Sequence, residues 1–124
     1  MIVTVEDLLG QAKKREDKKT FKVYVTELDR EIECNPISRK EYLDIVFSGT
    51  KDEDSEIIYN SCPIFRNDDL IRKLKCELNP VEVVDKVLSA SSIYALTKLI
   101  LQQSEIENGA ISKYVKLMES DIKN

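Results

Sequence analysis

Residues Asn79 to Gln103, N-P-V-E-V-V-D-K-V-L-S-A-S-S-I-Y-A-L-T-K-L-I-L-Q-Q, form the longest apolar-rich stretch of the chain. The stretch has a marked start. Asn79 suits an N-cap, Pro80 suits the first helical position, and Glu82 falls at N3. Val83, Val84, Val87 and Leu88 then recur at helical spacing. Ser89-Ala90-Ser91-Ser92 breaks the pattern. Small hydroxyl side chains compete for backbone hydrogen bonds, so this run predicts a kink, or a stop and restart with a serine as the second cap. Ile93, Leu96, Leu99 and Ile100 resume the stripe, and Tyr94 and Leu101 broaden it. A stripe that wide is core material, and the rest of the chain is expected to pack on it.

With 124 residues, the chain suits one domain of modest core. Its 42% hydrophobic and 34% charged residues mark a folded, soluble protein. The net charge of −4 argues against nucleic acid as a partner, because phosphate contacts need a basic surface. No apolar run approaches the roughly 20 residues that span a bilayer. Met1 to Asp7 lacks the basic and apolar regions of a signal peptide. No membrane association is expected.

The absence of histidine removes His-based acid/base chemistry, His-containing triads and the commonest zinc ligand. Three glycines leave no P-loop and no dinucleotide fingerprint. Cys34, Cys62 and Cys76 are odd in number and far apart in sequence, with no C-x-x-C, and read as small hydrophobes in a reducing cytosol. No catalytic residue, cofactor or metal is expected.

In chain order, Thr4 caps a first helix, with Asp7 at N3 and Val3 and Leu8 as the hydrophobic staple. Leu8, Leu9 and Ala12 give it a short apolar face, and it is expected to fray by Lys14. The run from Lys13 to Lys19 is interrupted by Glu16 and Asp17 and carries no aromatic residue, so it reads as a solvated connector. Phe21, Val23 and Val25, then Ile32 and Cys34, alternate with polar residues. Period two on both sides of Glu27 to Arg30 predicts a β-hairpin, without a tight two-residue turn because no glycine is present there. Ser38 and Glu41 form a capping box inside an Ile37–Tyr42 staple. The helix they open carries Leu43, Ile45, Val46 and Phe47, ends at Gly49, and is expected to cover the hairpin.

Thr50 to Ser55 is acidic. It lacks the glycine and distal glutamate of a calcium loop, and the charges suit the start of a helix. A short buried helix over Glu56 to Cys62 stops at Pro63. Asn67 caps the next helix, whose apolar face is Leu70, Ile71, Leu74 and Leu78. After Gln103, the run to Asn108-Gly109 ends the last core helix. Together these readings predict an α+β fold, a mainly helical single domain over 1–124 with one N-terminal antiparallel β-hairpin. It divides into an N-terminal helix and charged connector (1–19), a core (20–109) and a C-terminal amphipathic helix (110–124).

The order is distinctive: a hairpin, a helix opening S-R-K-E-Y, then I-I-Y-N-S-C-P-I-F-R-N-D-D-L, then L-N-P-V-E-V-V-D-K-V-L, then a helix carrying I-Y-A-L-T-K-L-I-L-Q-Q. This resembles the XkdN-like tail assembly chaperones of phages and phage-derived particles with contractile tails. The matching features are the apolar stretch Ile57 to Pro63, Phe65 to Leu70, the proline-led helix Pro80 to Leu88, and the last helix from Ile93 toward Gly109. The chain departs from the family pattern at Ser89 to Ser92, where a glycine or acidic residue would open the last helix, and the likeness stops at Gly109. The resemblance implies a non-enzymatic protein of the host bacterial cytoplasm. It would bind the tape-measure protein and keep it soluble while the tail tube assembles. A structural or adaptor subunit retained in a tail or tail-like particle is the alternative.

Beyond the likeness, Ile111, Tyr114, Val115, Met118 and Ile122 share one stripe of the segment Ala110 to Ile122, opposite Lys113, Lys116, Glu119 and Asp121. The stripe is a candidate partner-binding surface, for a client or for a homo-oligomer; folding back on its own domain is the alternative. Burying four such side chains is worth on the order of 6–12 kcal/mol gross, at about 1.5–3 each, before ordering and association costs. Met118 suits a surface that accepts varied clients. Val115→Glu with Met118→Glu is therefore expected to leave the melting temperature nearly unchanged while abolishing co-purification or self-association. A double variant that unfolds, or that binds normally, would make the segment ordinary core or an idle tail.

Overall fold

A computed structural model of the protein describes residues 1–17 and 19–106. Among these residues the order is α1 (Val5–Glu16), β1 (Phe21–Val25), β2 (Arg30–Cys34), α2 (Arg39–Val46), α3 (Glu53–Ser61), α4 (Asp68–Lys73), α5 (Glu82–Val87) and α6 (Ala90–Gln103). Short 3-10 turns cover Thr26–Leu28 and Pro63–Arg66. The fold is mainly helical, with one antiparallel hairpin after the first helix, as the alternation of Phe21 to Cys34 requires.

The hairpin register pairs Phe21 with Cys34 and Val23 with Ile32, which puts the apolar residues of both strands on one face. Lys22 opposes Glu33 on the other face, so opposite charges meet in water. The connection is a 3-10 turn closed by Asp29 in the left-handed region at φ 51°. Asparagine and aspartate are the non-glycine residues that tolerate this region best. Tyr24 reinforces the turn by donating its phenol to Asp29.

Helix starts follow local chemistry closely. Thr4 and Asp7 form a capping box, as do Ser38 and Glu41. The Asn67 side chain accepts from the Leu70 amide at 3.0 Å, and Ser89 accepts from Ser92 at 3.2 Å. The serine run therefore separates α5 from α6 as a stop and restart. Gly49 takes φ 79° after α2, a conformation that glycine adopts at little cost.

Several boundaries differ from the sequence expectation. The side chain of Asn79 does not cap α5; it donates to Glu82 Oε1 at 3.4 Å. The chain enters α5 through successive i→i+3 backbone bonds to Asn79, Pro80 and Val81, so the first turn is tight and the regular helix starts at Glu82. α1 continues to Glu16, with Lys13, Lys14 and Arg15 placed favourably in its last turn, so much of the expected connector is helical. α4 stops before Leu78 because Lys75 turns left-handed at φ 59°; Cys76 takes the buried place and Leu78 is exposed. α6 ends in the same way, with Glu105 at φ 60° and Ile106 N–H bonded to Leu101 O. This six-to-one closure reverses the chain before Asn108-Gly109.

α3 is the centre of the packing. It lies against α2, α5 and the Pro63–Arg66 turn, and most extensively against α6. Ile57 and Ile58 of α3 meet Val83, Val84, Leu88, Ile93, Leu96 and Ile100 in the core. The hairpin packs on the Pro63–Arg66 turn and α6, whereas α2 packs on α3 rather than covering the hairpin. Phe47, Tyr94 and Leu99, expected on apolar faces, are exposed. Thr97 is buried between Ile93 and Ile100, so the inner face of α6 is narrower than its sequence stripe.

Small hydroxyls join these elements. Ser104 Oγ accepts from the buried Ile37 amide at 3.0 Å. Thr97 donates to Asp54 O at 3.3 Å, and Ser55 donates to the Asp85 carboxylate at 3.1 Å. Ser104→Ala is expected to cost about 1–3 kcal/mol, because the Ile37 N–H loses its acceptor inside the protein. Ser38→Ala, at an exposed cap, is expected to cost about 0.5–2 kcal/mol. Urea melts of the two variants measure both, and a loss indistinguishable from zero in either would place that helix end or contact elsewhere.

Candidate partner-binding surface

α1 is a helix with no buried residue. Val5, Leu8, Leu9 and Ala12 recur at helical spacing and form one stripe, and Ile2 and Val3 continue apolar surface beyond it. Val5 is 70% exposed, Leu8 58% and Leu9 65%. The expected Val3–Leu8 staple therefore buries neither partner. The capping box alone defines the helix start: the Asp7 amide donates to Thr4 Oγ1 at 3.2 Å, and the Thr4 amide donates to Asp7 Oδ2 at 3.0 Å.

The far end of α1 is attached to the core. Arg15 donates to Glu105 at 2.9 Å, with both side chains more than half exposed. Such an exposed pair adds little stability, up to about 1 kcal/mol. It places the end of α1 beside the end of α6. A polar cavity of about 310 Å³ lies between them, lined by Gln11, Lys14, Arg15, Gln103 and Glu105 among others. The apolar stripe of α1 is not part of that lining.

A second, smaller groove of about 210 Å³ runs between β1 and α6, where Tyr24, Ala95 and Leu99 meet solvent. A wider acidic cleft is lined by Asp52, Glu53, Asp54 and Asp85. Ser55 already bonds Asp85 there. Among the described residues no group of three or more acidic or cysteine side chains is arranged to hold a metal ion. No described helix is long and apolar enough to cross a membrane.

All three cysteines are free and buried. The fold brings two of them together: Cys34 Sγ at the end of β2 lies 3.2 Å from Cys62 Sγ just after α3. Nothing in their sequence spacing signals this, since only the strand-to-helix packing joins them. The hydrogen bond with Cys34, and then burial, push the Cys62 thiol far above its ordinary value, while the same bond holds Cys34 below its own. Cys76 stands apart and donates to Leu74 O at 3.5 Å.

The C-terminal candidates Ile111, Tyr114, Val115, Met118 and Ile122 lie outside the described residues. The exposed face of α1 is the surface that sequence reasoning placed in contact with the core and the structure leaves open. One sequence signal marks it: the stripe is only one residue wide per turn outside Leu8-Leu9 and runs straight into the charge run from Lys13. Comparison with protein-family models, characterised proteins and solved structures finds no match to this chain.

One contact near the groove responds to pH. Glu27, in the hairpin turn, accepts from the Ser89 amide at 2.8 Å and so holds the hairpin to the start of α6. This backbone bond, and then the Ser92 side chain, hold the Glu27 carboxyl below its usual value. A lowered folded-state value stabilises the protein above the unfolded carboxylate range and loses that effect as pH falls through the folded value. Glu27→Gln is thus expected to be less stable than the parent at neutral pH, with the gap closing below the ordinary carboxylate range. A pH series of urea melts checks it; a constant gap across the series would assign the loss to packing instead.

Proposed function

We propose that this protein is a non-enzymatic tail assembly chaperone that binds a tape-measure protein in the bacterial cytoplasm and keeps it soluble during tail-tube assembly. The observation that carries the reading is α1, a capped helix whose apolar stripe has no partner among the described residues. A tape-measure chain is long and helical, and it exposes apolar stripes until the tube encloses it. Shielding such a client needs an apolar helix face, presented on a scaffold that stays folded without it. The fold supports that division of labour: the core closes around α3 and α6, and α1 contributes nothing to it.

The family resemblance over residues 20 to 109 is what suggests the client, and α1 offers a surface for it. Val5, Leu8 and Leu9 each offer roughly 1.5–3 kcal/mol of gross burial. Loss of rotational freedom and side-chain ordering offsets much of it. The resulting affinity suits a chaperone, which must release its client to the polymerising tube. The C-terminal stripe from Ile111 to Ile122 is a second candidate contact on the same reading.

The test is co-expression with a tape-measure protein, sought as a long, helix-rich reading frame beside the gene for this chain. The parent is expected to raise the soluble fraction of that protein and to co-purify with it. Leu8→Glu with Leu9→Glu is expected to keep the parent's melting temperature, because neither side chain is buried, and to lose co-purification. Normal binding by the double variant would remove α1 from the interface. A parent that neither binds nor solubilises the client would overturn the function itself.

A further inference from the structure

We propose that Cys34 and Cys62 form a dithiol–disulfide site in the core, oxidised by small disulfides and peroxides, that locks the hairpin to α3. The proposal stands on their geometry and is independent of the chaperone reading. The two sulfurs are 3.2 Å apart. A disulfide bond is about 2.0 Å long, so they have roughly 1.2 Å to close.

The chain beside them is already held together. The Asn35 amide donates to Ser61 O at 2.7 Å. Ser61 Oγ donates back to Asn35 O at 2.7 Å. These two bonds join the residue after Cys34 to the residue before Cys62. They hold the backbones on either side of the two sulfurs against each other in the closed hairpin. Two thiols alone in an apolar core could drift apart by rotamer changes; these two sit on a hydrogen-bonded crossing of strand and helix. Cys34 and Cys76 each donate to a backbone carbonyl, of Ile32 and Leu74, but only Cys34 also has a second sulfur within hydrogen-bond distance, so Cys76 serves as an internal control.

The chemistry balances with a small disulfide RSSR. The Cys34 thiolate attacks one sulfur of RSSR, its own proton having left to solvent, and expels RS⁻. The mixed disulfide on Cys34 is then attacked by Cys62 sulfur, which loses its proton as the second RS⁻ leaves. One protein S–S bond forms, the S–S bond of RSSR breaks, and two thiols RSH carry away two protons and two electrons. With hydrogen peroxide, the Cys34 thiolate takes one oxygen as the O–O bond breaks and the other leaves as hydroxide, protonated to water; Cys62 sulfur then displaces the sulfenic oxygen as a second water, so one peroxide is reduced to two waters. In the closed hairpin the shared hydrogen bond favours the Cys34 thiolate over that of Cys62, so Cys34 is the sulfur that leaves the closed state readiest to attack as the hairpin begins to open. Both sulfurs are buried, so the oxidant gains access when the hairpin opens locally, and the bridge closes as it docks again.

The closed bridge would span a sequence separation of 28 residues, enclosing α2 and α3. It would remove hairpin opening from the accessible motions while leaving the α1 surface untouched. The experiment treats the full native chain with glutathione disulfide, and separately with hydrogen peroxide, then blocks remaining thiols by alkylation and maps peptides by mass spectrometry. The expected product is a Cys34–Cys62 linked peptide pair with Cys76 alkylated. Dithiothreitol should reverse it, and the oxidised protein should melt roughly 5–10 °C higher. The Cys76→Ala variant should give the same bridge. Bridges that include Cys76, dimers linked between chains, a mixed disulfide on Cys34 that never resolves, or oxidation only in denaturant would each overturn the proposal. So would a bridged protein that melts lower than the reduced one.

Discussion

The structure depends on the close approach of α3 and α6. Most of that contact is apolar, through Ile57, Ile58, Ile93, Leu96 and Ile100, and small polar side chains bring hydrogen-bonding groups into the same core. Ser55, Ser61, Thr97 and Ser104 are the buried polar residues, and each bonds another element. Among the described residues no buried side-chain nitrogen or oxygen is left without a partner. A buried hydroxyl adds about 0.5–1.5 kcal/mol when bonded and costs more than that when orphaned. Four such contacts therefore select one arrangement of helices more than they deepen its stability. They tie α3 to α5 through Asp85, α6 to α3 through Asp54, and the strand exit to α3 and α6 through Asn35 and Ile37. The apolar side chains around them supply the larger energy without specifying direction.

That division explains what the sequence made legible. Most local signals held because they act within three or four residues; the Asn79 cap did not, since a tight first turn moves the regular start of α5 to Glu82. The capping boxes at Thr4 and Ser38, the caps at Asn67 and Ser89, and the period-two hairpin all sit where their residues put them. Burial was legible only where the stripe and the helix agreed in length. Leu78 reads as part of an apolar face, yet the helix has already turned back at Lys75. A left-handed lysine carries no sequence mark comparable to glycine. Leu99 and Tyr94 belong to a broad stripe, but α6 meets the core along Ile93, Leu96, Thr97 and Ile100, and a threonine in that line is hard to distinguish from a surface residue. The thiol pair was illegible for a different reason: it is made by packing between segments 28 positions apart.

The two surfaces singled out in the sequence and in the structure differ in kind. The stripe from Ile111 to Ile122 rests on pattern alone. The stripe of α1 rests on pattern and on exposure together. A capping box, favourable charges in both end turns and a helix-length run make α1 locally self-consistent. Isolated helices of this length are marginal in water, since nucleation costs more than a few turns return. An unburied helix of twelve residues therefore draws its stability from its caps, its end-turn charges and the Arg15–Glu105 pair.

The same reasoning separates scaffold from surface. A residue that serves only folding should be buried, and a residue that serves only solubility should be polar. Val5, Leu8 and Leu9 satisfy neither condition. Singly exposed leucines are common on protein surfaces and need no explanation. Three at helical spacing on a helix that buries nothing put their apolar surface on one side of it, which is the geometry the proposed function uses. The attachment at Arg15 and Glu105 makes the case tighter, because it holds one end of the helix to the core while leaving its apolar stripe turned outward. On the chaperone reading proposed above, a client covering Val5, Leu8 and Leu9 would offset the cost of keeping them in water.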